Sequence, residues 1–149
     1  MFKLTYEGLI ETDIDGLKDF EEITSEFFDI FELLDKENQN EILTEIYRFI
    51  WTHLEDNTAT GNEYVEWLME MTDFWYSGDI ELDRIVRETD IEKGYQLITM
   101  IYKNPFNDKL YGIEVIDTGI GMDWPEGYRT TEMEQYEEWT LRTKYRPKK

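Results

Sequence analysis

The chain has 149 residues, 40% apolar and 15% aromatic, which is one ordinary domain with material for a single core. With no cysteine and a single histidine, it excludes disulfide scaffolds, cysteine-ligated zinc, thiol catalysis and most histidine-based triad or metal chemistry. Its 35 acidic and 15 basic residues leave a net charge of −20; residues 1–100 hold 26 and 7 of these (net −19), and residues 101–149 hold 9 and 8 (net −1).

Phe2, Leu4 and Tyr6 alternate with Lys3, Thr5 and Glu7, the period of a half-buried strand, and Gly8 breaks it. A short LIET follows before the DIDG turn. From Leu17 to Asp35 the period becomes helical, with Phe20, Ile23, Phe27, Ile30, Phe31 and Leu34 in one stripe. Asp19, Glu21, Glu22, Glu26, Asp29, Glu32 and Asp35 fall on the opposite arc. NQNE at 38–41 reads as the capped start of a second helix burying Ile42, Leu43, Ile46, Phe49, Ile50 and Leu54. His53 projects beside Ile46 and Ile50, where a ring fixed by hydrogen bonds is expected. TGNE at 60–63 reads as a capping box for a third, largely apolar helix over 62–76.

DIELDRIVRETD, after Gly78, fits a short helix better than a strand. YQLITMIYK and KLYGIEVID are β-rich runs joined by NPFND, a hairpin over 95–117. A last helix is expected from TTEMEQ, capped by Thr131 with Glu134. The fold class predicted is α+β: a small antiparallel sheet of the N-terminal strand plus the 95–117 hairpin, packed against three to four amphipathic helices. Residues 1–141 form the single domain, and 142–149, with five basic residues, a C-terminal tail. No apolar run approaches the roughly 18 residues of a membrane span, so a cytoplasmic protein that engages no membrane is expected.

Two stretches resemble known binding motifs. ETDIDGLKDFEE places Glu11, Asp13, Asp15, Asp19 and Glu22 at positions 1, 3, 5, 9 and 12, with Gly16 at 6, and so resembles the EF-hand calcium loop. The resemblance implies a single Ca²⁺ site on those carboxylates. It departs in having Glu at position 1, Lys18 at position 8 and a strand-like run in place of the preceding helix. DTGIGM, with Asp117, Gly119 and Gly121, resembles the adenine-binding box of the GHKL ATPases, which implies a nucleotide. That family's upstream helix carries a metal-binding Asn, yet no Asn occurs between Glu63 and Lys103; a phosphate cradle would have to be built from 27 residues holding one further glycine, Gly127.

The acidic arc is the remaining constellation. Seven carboxylates from Asp19 to Asp35 would span about 26 Å on a helix, one per about 3.6 Å. Duplex DNA presents one charge per about 1.7 Å, both strands counted. Adding Glu41, Glu45, Glu55, Glu63, Glu66, Glu70 and Asp73 brings the density closer to a duplex. Phe28 and Trp51 lie off their helices' apolar stripes and are expected to be aromatic anchors within this surface. The composition therefore points to a non-enzymatic acidic inhibitor without a cofactor. It would act as a DNA mimic of the phage anti-defence type on a basic nucleic-acid-binding protein or nuclease, and would not bind nucleic acid directly. The alternatives are a toxin-immunity protein binding a basic toxin and a small ligand-binding domain, with calcium at 11–22 or a nucleotide at DTGIGM.

Overall fold

The computed structural model describes residues 1–74, 84–90, 95–117, 122–123, 130–134 and 145–148. They form a mixed α+β arrangement of two antiparallel sheets and three helices.

The N-terminal strand β1 (Phe2–Leu4) pairs with β2 (Ile10–Thr12), Phe2 opposite Thr12 and Leu4 opposite Ile10. The intervening turn depends on Gly8. Its φ is +91°, and a Cβ there would lie 2.5 Å from Cε1 of Tyr64. This pair is a sheet of its own, which corrects the expectation that the N-terminal strand joins the hairpin. The reason is that helix α2 (Lys36–Glu55) supplies acceptors to the outer edge of β1: Glu41 Oε1 accepts from the Phe2 amide (3.0 Å) and Glu45 Oε1 from the Leu4 amide (3.3 Å).

Helix α1 covers only Ser25–Phe31, so the long helix expected over 17–35 is corrected to tight turns followed by two helical turns. The backbone before Thr24 is committed elsewhere. The Glu21 carbonyl accepts from the Ile10 amide (2.8 Å), and the Ile23 amide donates to the Tyr64 hydroxyl (3.1 Å). Successive turns at Ile14–Leu17 and Leu17–Phe20 keep the i, i+3 spacing and bury Leu17 and Ile23 as a helix would. α1 begins where the Thr24 hydroxyl accepts from the Phe27 amide (3.4 Å).

α2 starts three residues before the expected NQNE box, because Asp35 Oδ1 caps the Asn38 amide (2.8 Å). Ile42, Ile46, Phe49, Ile50 and Leu54 of its stripe are buried as expected, while Leu43, expected with them, is half-buried. His53 is buried too, with Nε2 donating to the Tyr6 carbonyl (2.9 Å), Nδ1 2.7 Å from the Thr58 hydroxyl and Tyr6 stacked on its ring. α3 (Glu63–Met71) is capped by Asn62, two residues after the predicted Thr60 cap, and is shorter than 62–76. Thr72 closes it by donating its hydroxyl to the Leu68 carbonyl (2.6 Å), and Asp73 leaves it at φ +51°.

The larger sheet holds β3 (Arg84–Asp90), β4 (Tyr95–Lys103), β5 (Leu110–Asp117), β6 (Met122–Asp123) and β7 (Thr130–Met133). The 95–117 hairpin is as predicted, with Lys103 opposite Leu110 and Gln96 opposite Asp117. Two expected helices are corrected to strands. Residues 84–90 pair with β4, and the TTEM of the expected last helix pairs with β5, where pairing of an otherwise open edge outweighs the capping signal at Thr131. The remainder of that predicted helix, residues 135–144, lies outside the described residues.

α2 carries a second buried face toward this sheet. Trp51 contacts Phe74 (ring centroids 5.6 Å) and Tyr111 (5.7 Å), and Phe74 contacts Tyr102 (6.2 Å). Glu55 Oε1 fastens the hairpin turn by accepting from the side-chain amides of Asn104 (2.6 Å) and Asn107 (2.7 Å). Burial and the Glu55 carboxylate hold the Tyr111 phenol above its ordinary pKa.

Candidate partner-binding surface

Residues 1–74 carry 20 Asp and Glu against 4 Lys and Arg, a net of −16; residues 75–149 carry 15 against 11, a net of −4. Within the first group the acids divide by what they touch. Asp19, Glu22, Glu26, Asp29, Glu32, Glu63, Glu70 and Asp73 are exposed, and among the described residues their carboxylates make no ion pair or hydrogen bond. Asp19 and Glu22 stand on the turns before α1. Glu26 and Asp29 are on α1, Glu32 is its C-cap, and Glu63 and Glu70 are on α3.

Other predicted contact residues serve the fold. Glu41 and Glu45 hold β1, and Glu45 also pairs with Arg48 (2.6 Å). Glu66 accepts from the Gly61 amide (3.3 Å) in front of α3. These three are half-committed to backbone amides and form no part of an unpaired acidic surface. The helical rod is also shorter than expected: α1 extends about 10 Å, so no single helix carries seven carboxylates in line.

The predicted aromatic anchors separate. Trp51 is 4% exposed and buried between α2 and the larger sheet, which corrects its expected place on the outside. Its position off the α2 stripe reflects a second buried face. Phe28 is half-buried, packed edge-on against Phe27 (5.8 Å) and against Trp67 of α3 (5.8 Å). The α1–α3 seam therefore presents two partly exposed aromatic rings. Glu32 is one turn from Phe28, and Glu63 and Glu70 are at i−4 and i+3 from Trp67, on the seam side of their helices.

The five carboxylates of the EF-hand-like stretch are not gathered round one point. Glu11 lies in β2, Asp13 receives the Met1 ammonium (2.7 Å), and Asp15 pairs with Lys18 (3.1 Å). Among the described residues no three His, Asp or Glu side chains are grouped so as to hold a metal ion. At the DTGIGM box, Asp117 ends β5, and the chain doubles back so that Met122 pairs opposite it; Gly119 and Gly121 lie outside the described residues. No helix among the described residues is long and apolar enough to cross a membrane. Of the expected basic tail, Tyr145 to Lys148 are described and are exposed.

Compared with protein families, curated proteins and solved structures, the chain matches none. One feature of the surface was not foreseen from sequence. Beside the end of α3, a cleft of about 220 Å³ is lined by Tyr47, Trp51, Phe74, Tyr102 and Phe106, with Thr44 and Pro105 at its margin. Its only sequence signal is the second aromatic face of α2, Tyr47 and Trp51 four residues apart.

Proposed function

We propose that the protein is a non-enzymatic inhibitor that binds a basic, nucleic-acid-handling protein through the acidic surface of its helical region, in the manner of a DNA mimic. The observation that carries this reading is the set of exposed carboxylates on the pre-α1 turns, α1 and α3 that have no counter-charge among the described residues. Two exposed unit charges at 4 Å repel by about 1 kcal/mol in bulk water, so a crowd of them is a standing cost at low ionic strength. A cationic partner removes that cost and gains fast, steered association. The Phe28–Trp67 seam supplies the apolar contact that charge alone lacks. The charges are spread over turns and two short helices, so the mimicry is of a phosphate field and not of one straight strand.

The test is affinity capture from a bacterial lysate at low and then high salt, with a parallel triple variant Glu22→Lys, Glu26→Lys, Asp29→Lys. The reading expects a basic protein to be retained at low salt, released at high salt, and lost with the triple variant while its circular dichroism and melting stay those of the parent. Unfolding of the variant would make that face structural, and retention by the variant would place binding elsewhere.

A further inference from the structure

We propose that the apolar strip formed by Trp67 and Met71 of α3 with Phe28 of α1 seats a basic amphipathic helix of the partner. This rests on the function proposed above and names the partner element that meets the surface.

Helix α3 carries two apolar faces. Val65, Leu68 and Met69 are buried in the core. At about 100° per residue, Tyr64, Trp67 and Met71 form a second stripe, centred about 120° round the helix from that face. The stripe is covered at its N-terminal end and open at its C-terminal end. The Tyr64 hydroxyl accepts from the Ile23 amide (3.1 Å), its ring stacks on Trp67 (centroids 6.4 Å), and Phe28 closes edge-on against Trp67 (5.8 Å). Phe28 and Trp67 nevertheless remain only half-buried, and Met71, one turn further on, is 45% exposed. The second face of α2 packs against the larger sheet; among the described residues, no element covers the end of this one.

Charge selects the occupant. Round α1 from Phe28, away from the core, come Glu32 and Asp29; round α3 from Trp67 come Glu63 and Glu70. All four are exposed and make no ion pair or hydrogen bond among the described residues. The apolar strip therefore runs between two rows of carboxylates. A second copy of this chain, a nucleic acid or an anionic lipid surface would set like charges against them, whereas a cationic segment neutralises both rows.

The form of that segment follows from the bracketing. A helix places basic residues on both sides of one apolar stripe, because successive residues lie about 100° apart round it. An extended strand turns alternate residues to its opposite face, so its apolar row cannot be flanked in this way. Helix α3 has 9 residues, about 13 Å, which matches roughly two to three turns of such a helix. A basic helix is also what several classes of DNA-binding protein lay in the major groove, so the element suits a partner that handles nucleic acid.

The probes are two synthetic peptides of identical leucine and lysine content, titrated separately into the full chain in dilute buffer. In one, leucine recurs at every third or fourth position, so a helix carries a single stripe between rows of lysine; in the other, leucine and lysine alternate at the strand period. Binding is read from the NMR signals of the Trp67 indole and the Met71 methyl group. The striped peptide is expected to shift both and to bind about tenfold more tightly than the alternating one. Met71→Gln, at an exposed position, is expected to leave the fold intact, to weaken the striped peptide several-fold and to leave the alternating one unchanged. Equal affinities, or tighter binding of the striped peptide that moves neither signal, would overturn the proposal and leave the acidic-surface reading standing. Binding of neither peptide would overturn it as well; the acidic-surface reading falls only if capture from lysate also yields no basic protein.

Discussion

The helical region and the larger sheet carry charge unequally. In residues 1–74, thirteen exposed carboxylates make no ion pair or hydrogen bond among the described residues, whereas in the sheet Asp108 faces Lys103 (3.7 Å) and Glu132 faces Lys109 (3.8 Å), leaving Glu114 and Glu134 without an ion pair among the described residues. The net charge of −20 is therefore a property of one region more than of the whole surface. That concentration is what motivates the proposed binding surface.

The largest effect is expected where the two regions meet. Trp51→Ala should destabilise the fold by about 3–5 kcal/mol in chemical denaturation, because its ring is buried against both Phe74 and Tyr111. A loss within about 0.5 kcal/mol would return Trp51 to the surface. Glu55→Ala should cost about 1–3 kcal/mol by stranding the Asn104 side chain, which is 3% exposed. This would show that one acid of the helical region is structural, unlike Glu26 or Asp29. At the start of α2, Asp35→Ala should cost about 1 kcal/mol and Asn38→Ala clearly less, since Asp35 provides the cap.

The smallest effect concerns the N-terminus. The Met1 ammonium, first by its hydrogen bond and then by its charge, holds Asp13 below its ordinary carboxyl value of 3.8, and Asp13 holds the ammonium above its ordinary 8.0. The carboxylate's contribution is present above 3.8 and lost as pH falls through its lowered folded value; the ammonium's is present below 8.0 and lost as pH rises through its raised one. The difference in melting temperature between the parent and Asp13→Asn should thus be flat from about pH 4 to 8 and shrink outside that window. Both groups are exposed, so the difference is small.

The elements legible in the sequence were those whose local pattern and tertiary use agree. The Ile42–Leu54 stripe and the NPFND hairpin satisfy their own backbone groups, so periodicity and turn chemistry suffice. Where backbone partners come from far along the chain, the pattern misled. Leu17, Phe20 and Ile23 have helical spacing, but the Glu21 carbonyl and Ile23 amide are taken by Ile10 and Tyr64. Thr131 and Glu134 spell a capping box, yet the free edge of β5 claims Thr130–Met133. For the candidate surface, the exposed acids of α1 and α3 were readable from composition and phase. The structural duties of Glu41, Glu45 and Glu55 were not, because they depend on amides 39 to 52 residues away.

The measurement that bears most directly on this account sets one region against the other. Low-salt capture is compared for the parent, for Glu22→Lys, Glu26→Lys, Asp29→Lys, and for an equal reversal on the sheet, Glu114→Lys, Glu132→Lys, Glu134→Lys. All three chains carry either −20 or a shared, less negative total, so overall charge is controlled. The account predicts a cationic protein held by the parent and the sheet variant and lost by the helical variant. Equal loss in both variants, or no cationic protein held by the parent even in dilute buffer, would contradict it.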